Sequence, residues 1–76
     1  MSNEVLKRIV DLASKGYIVR FEPDFDDGYI GVRMSKHNFH AEHYISIEEI
    51  ERSNFDVIMY AINRLVQAVD GGLQRR

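Results

Sequence analysis

The sequence predicts an α+β fold: a two-layer sandwich in the order α-β-β-β-α, with a three-stranded antiparallel meander and the helices on one of its faces. Three observations carry that expectation. Apolar residues recur at three- and four-residue steps near both ends of the chain. The middle alternates apolar and polar residues in steps of two. Turn chemistry divides that middle into three runs, and amphipathic helices can hide the one apolar face such a sheet presents.

The first helix is expected over residues 3–15. Val5, Leu6, Ile9, Val10, Leu12 and Ala13 form its apolar stripe, and Ser2 or Asn3 can cap its start. Glu4 suits the positive end of the helix dipole, and Gly16 follows as a terminating residue. "YIVRFEP" then reads as a strand ended by Pro23, because proline cannot donate to a ladder. "DFDDG" is a turn in which Gly28 supplies positive φ. "YIGVRMS" is the second strand, "KHN" the second turn and "FHAEHYI" the third strand. Alternation puts Val19, Phe21, Ile30, Val32, Met34, Phe39, Ala41 and Ile45 on the apolar face. Arg20, Glu22, Tyr29, Arg33, His40, Glu42 and Tyr44 fall on the other.

From Ser46 the period becomes helical. "SIEE" is a capping-box pattern, and "SNFD" at 53–56 is a second start signal. A short helical turn over 47–52 and a break at Ser53-Asn54 follow. The main helix should run from Phe55 to about Val69, with Phe55, Ile58, Met59, Ile62, Leu65, Val66 and Val69 buried. Gly71-Gly72 should end it and leave a loose tail from about residue 71.

A chain of 76 residues makes one domain, 1–76, near the lower end of independent stability. Its 45% hydrophobic and 29% charged content is that of a folded chain, not a disordered one. With no cysteine there is neither a disulfide framework nor a thiolate metal site, which fits a cytoplasmic protein. "MSNEVLKRIVDLASKG" lacks a signal-peptide core, and no apolar run approaches the roughly 20 residues of a membrane span. The net charge of −2 is unevenly placed. Residues 22–56 carry nine acids (Glu22, Asp24, Asp26, Asp27, Glu42, Glu48, Glu49, Glu51, Asp56) against Arg33, Lys36 and Arg52, while both ends are mildly basic. An acidic middle argues for a basic partner rather than for a fold.

All three histidines, His37, His40 and His43, lie within "SKHNFHAEHY". In a strand, residues three apart point to opposite faces, so His40 and His43 diverge, and His37 belongs to the turn. Zinc needs its ligands to converge at about 2 Å, so no metal and no cofactor is expected. His43 should be a partly buried core-side residue, and Arg33 should pair across strands with Glu42 or His40. The serines fall at caps, helix ends and turns, and no catalytic residue is assigned. "EPDFDDG" fails the calcium-loop pattern, because with Gly28 sixth the first two ligand places fall on Pro23 and Phe25. It is either a solvated turn or a compact acidic knob with Phe25 exposed.

The element order is similar to that of the double-stranded RNA-binding domain, whose last helix opens with a lysine cluster on phosphates. Here the matching stretch, "SIEEIERSNFD", is acidic, which speaks against that reading. The layout also resembles small phage- or prophage-encoded α-β-β-β-α proteins, anti-CRISPR proteins among them. The helix to "SKG", the strands "YIVRF" and "YIGVRMS", and "EHYIS" running into an acidic turn carry that resemblance. It covers most of the chain as an order of elements and transfers no individual contact residue. It implies a non-enzymatic inhibitor or regulator of a larger, nucleic-acid-handling protein, acting in the host cytoplasm.

The expected partner is therefore a protein with a basic surface. It would be met by Asp24, Phe25, Asp26 and Asp27, with Glu48, Glu49 and Glu51 in support. Direct nucleic-acid or membrane binding is not expected, and a homodimer is open. A second reading makes the exposed sheet face a nucleic-acid binder, with Tyr29 and Tyr44 stacking and Arg20 and Arg33 on phosphate. Glu22 and Glu42 on the same face weaken it. A third is a small histidine metal-binding protein.

Overall fold

The computed structural model describes residues 3–53 and 56–74, with side chains through Gly72. The elements are α1 (Asn3–Ser14), β1 (Ile18–Asp24), β2 (Tyr29–Lys36), β3 (Phe39–Ser46), α2 (Ile47–Ser53) and α3 (Asp56–Gln74). The strands form a three-stranded antiparallel sheet in the order β1-β2-β3. α3 packs across β3 and β2, α1 lies against β1, and α2 packs on α3 and β3. This is the α-β-β-β-α sandwich its periodicities predict. Among the described residues, no helix is long and apolar enough to cross a membrane.

The core lies between the sheet and the helices. Val32, Met34 and Ile45 from the strands meet Val5 and Leu12 of α1 and Ile58, Ala61, Ile62, Leu65 and Val69 of α3. Val19, Phe21, Ile30, Phe39 and Ala41 pack at its margin, so the expected apolar face is the buried one. Each fully buried aliphatic side chain contributes about 1.5–3 kcal/mol relative to exposure. Tyr17, Ile50 and Ala61 join the core, although the apolar stripes did not include them. Phe55, assigned to the α3 stripe, Ser2, offered as a cap, and Asn54, placed at the break, lie outside the described residues.

Three expectations need correction. Val5, Ile9 and Leu12 face the core, but Leu6 and Val10 are exposed and so is Ala13. A helix turns by about 100° per residue, so each of these sits one step round from the core stripe. Pro23 does not end β1: the strand continues to Asp24, and Pro23 stands opposite Ile30. β1 is an edge strand, where a missing N–H costs no ladder bond on the open side.

Gly71-Gly72 does not end α3, which continues to Gln74. The reason is packing. A Cβ on Gly72 would stand 2.6 Å from Cδ1 of Phe39, so the helix can approach the start of β3 only through a residue with no side chain. Both glycines are half-buried, not part of a free tail.

Local signals otherwise act as read. Ser46 Oγ accepts the Glu49 N–H at 3.1 Å, and Ser53 Oγ accepts the Val57 N–H at 3.4 Å, which caps α2 and α3. Arg8 Nε donates to Asn63 Oδ1 at 3.3 Å, joining α1 to α3. The Tyr17 hydroxyl donates to Asp70 of α3, and Lys36 Nζ sits 4.3 Å from the centre of the Tyr17 ring.

Candidate protein-binding surface

The β1–β2 connection is a built turn. The Gly28 N–H donates to the Asp24 carbonyl at 2.9 Å, and the Asp27 N–H donates to Asp24 Oδ1 at 3.2 Å. Gly28 adopts φ 77°, the left-handed conformation expected of it. Its carbonyl accepts the Ile47 N–H at 2.9 Å, which ties the hairpin to the start of α2. Asp24 is thus partly structural. Phe25, Asp26 and Asp27 are exposed, and Phe25 retains 77% of its accessible surface.

The tether places Glu48 and Glu49, in the first turn of α2, beside the same end of the sheet. Glu48 accepts a hydrogen bond from Arg52 of its own helix, so part of its charge is answered locally. Glu51 is exposed but lies further along α2 from the tether.

Strand register assembles the rest. Arg20, Arg33 and Glu42 share one rung of the exposed face; Glu22, Gly31 and Tyr44 share the next; Asp24, Tyr29 and Ser46 form the third. Arg33 lies between two carboxylates, 3.0 Å from Glu42 and 3.4 Å from Glu22, which is the expected cross-strand pairing with a second acid added. The Tyr44 hydroxyl donates to Glu42 at 3.0 Å. Its ring leans over Gly31, where a Cβ would stand 3.2 Å from Tyr44 Cε1. Tyr44 keeps 62% of its surface exposed and Tyr29 49%.

Two grooves flank Tyr44. One, of about 220 Å³, is lined by Glu22, Asp24, Asp27, Tyr29 and Gly31 with Tyr44; the other, wider, by Glu22, Pro23, Asp24, Phe25 and Asp26 with Tyr44. The acidic hairpin and the aromatic part of the sheet face are therefore one surface. Sequence reasoning treated them as separate candidates. Alternation placed Glu22 and Tyr44 on the same face, but their meeting across Gly31 required the register of both hairpins.

The sheet-face residues proposed for nucleic acid, Arg20, Tyr29, Arg33 and Tyr44, are also brought to one face. Of their two cations, Arg33 is engaged by two glutamates, while Arg20 forms no ion pair among the described residues. The histidines diverge as strand alternation requires: His40 is exposed on the polar face, His43 is half-buried opposite Val32, and His37 occupies the turn at φ 56°. Among the described residues, no three His, Cys, Asp or Glu side chains are grouped to hold a metal ion. Ser14 Oγ donates to the Asp11 carbonyl at 2.6 Å, a helix-end bond like the two serine caps.

Comparison of the chain with family models, with curated proteins and with solved structures gives no match.

Proposed function

We propose that this chain is a non-enzymatic binding protein whose acidic hairpin and adjoining sheet face dock on the basic surface of a larger protein and thereby regulate or inhibit it. The observation that carries this reading is the continuity of exposed Phe25, Tyr29 and Tyr44 with Glu22, Asp24, Asp26 and Asp27 around shared grooves. No ion pair to Asp24, Asp26 or Asp27 forms among the described residues, so their negative potential faces outward. Such a surface recruits a positively charged partner through complementary potentials, while the aromatics supply contact area at low entropic cost. A nucleic-acid-handling protein, whose working surface is basic, is the class of partner this charge fits best. The resemblance to anti-CRISPR and related phage proteins points the same way, to an inhibitor acting in the host cytoplasm.

The sheet-face nucleic-acid reading is less well supported. Phosphate binding needs clustered cations, and Arg33 already answers two carboxylates beside Arg20.

The test is capture from lysate with tagged wild-type protein beside the Asp24→Lys/Asp26→Lys double variant, read by mass spectrometry, with circular dichroism as the folding control. The expected result is a protein with a basic surface retained by the wild type and lost by the folded variant. Equal retention by both would contradict the proposal.

A further inference from the structure

We infer that the smaller groove beside Tyr44 is a seat for an arginine side chain of the partner, which stacks on the Tyr44 ring and hydrogen-bonds to the carboxylates of Glu22 and Asp24 that line it. This deepens the proposed function and rests on it. The smaller groove, about 220 Å³, falls below the roughly 300–1,000 Å³ of small-molecule sites and is of side-chain size. It is lined by Glu22, Asp24, Asp27, Tyr29, Gly31 and Tyr44, its surface is mostly apolar, and Glu22 also pairs with Arg33 at 3.4 Å. A ring face beside carboxylates is attractive to a cation, since the quadrupole and the charges act together. Of the two cationic side chains, arginine is planar, stacks on aromatic rings, and presents paired donors to carboxylates; lysine offers a compact, strongly hydrated charge.

Tyr44 is held for the purpose by two contacts. Its hydroxyl donates to Glu42 at 3.0 Å, and its ring packs over Gly31, where a Cβ would stand 3.2 Å from Cε1 and press the ring outward by a few tenths of an ångström. Glycine in a strand interior weakens the strand relative to Ala. Its place beneath Tyr44 is what that weakness allows.

The test titrates ¹⁵N-labelled protein with three short glycine-flanked peptides that carry arginine, lysine or citrulline at the same positions. The arginine peptide should bind and shift the Gly31, Tyr44 and Glu22 amides. The lysine peptide should bind several-fold more weakly, and the neutral, planar citrulline peptide should not bind. Tyr44→Leu should weaken the arginine peptide by about 2- to 30-fold, the range of a cation–π contact. Tyr44→Phe, which keeps the ring, should retain most of the affinity. Gly31→Ala, which moves the ring without replacing a carboxylate, should weaken binding in a folded protein. Equal binding of arginine and lysine peptides, or no binding of either, would overturn the inference. So would unchanged affinity in Tyr44→Leu. If Tyr44→Leu is silent while Asp24→Lys/Asp26→Lys abolishes partner capture, the arginine seat falls and the acidic docking surface stands.

Discussion

The Tyr17 hydroxyl donates a hydrogen bond to the Asp70 carboxylate and so pins the entrance of β1 to the far end of α3, 53 residues away in sequence. That bond, then burial and the Asp70 charge, raise the Tyr17 pKa above its ordinary value of 10.0. A phenol whose folded pKa is raised holds its proton more tightly in the native state. Its contribution is full below the unfolded pKa and is lost as pH rises through the folded one. Urea unfolding across the alkaline range should therefore show a steeper loss of stability in wild type than in Tyr17→Phe. At neutral pH that variant should be less stable by about 0.5–1.5 kcal/mol. Parallel alkaline limbs would remove the bond from the account.

The two glycines of α3 should respond oppositely to alanine. A Cβ on Gly71 meets nothing within 4 Å, so Gly71→Ala should stabilise by roughly 0.5–1 kcal/mol through helix propensity. Gly72→Ala drives a methyl group into the Phe39 ring and should cost about 1–3 kcal/mol as overpacking. Thermal unfolding of the two variants checks both signs at once.

Metal binding should be absent at neutral pH. His40 and His43 leave the strand on opposite faces, so zinc cannot gain both without breaking β3. Calorimetry is expected to show no stoichiometric zinc or nickel. One site of sub-micromolar affinity that disappears in His40→Ala would overturn that expectation.

Duplex DNA and RNA should not bind at physiological salt, because Arg33 on the exposed face is answered by Glu22 and Glu42 and phosphate binding needs clustered cations. A mobility shift at micromolar protein, weakened in Tyr44→Ala and strengthened at low salt, would restore the sheet-face nucleic-acid reading.

Much of this architecture is legible in the sequence because local periods determine it. The alternation through "YIGVRMS" and "FHAEHYI" identifies the buried face residue by residue, and Ser46 and Ser53 mark the starts of α2 and α3. What the sequence conceals depends on contacts between distant residues. Gly72 reads as a stop until Phe39 is found against it, and Pro23 reads as a strand end until β1 is seen to be an edge. Leu6 and Val10 pass for core because apolar spacing alone does not say which edge of a stripe faces inward. The same division holds at the site. Asp24, Phe25, Asp26 and Asp27 are consecutive and can be read directly, whereas the Glu22–Gly31–Tyr44 rung exists only after two hairpins have set their register.

Association kinetics decide whether the acidic hairpin steers this protein onto a basic partner. The association rate of the captured partner with wild type and with Asp24→Lys/Asp26→Lys should be measured at low and high salt. Asp27 and Gly28 stay untouched, so the turn and its positive φ are preserved. Replacing the Asp24 carboxylate does remove the acceptor of one turn hydrogen bond, so circular dichroism must show both proteins folded. The wild-type rate should fall steeply as salt rises, since exposed charges are screened within about 8 Å at physiological ionic strength. The folded double variant should associate markedly more slowly at low salt and show little salt dependence, because steering acts chiefly on the encounter rate. Equal rates for the two folded proteins at every salt concentration would contradict the claim.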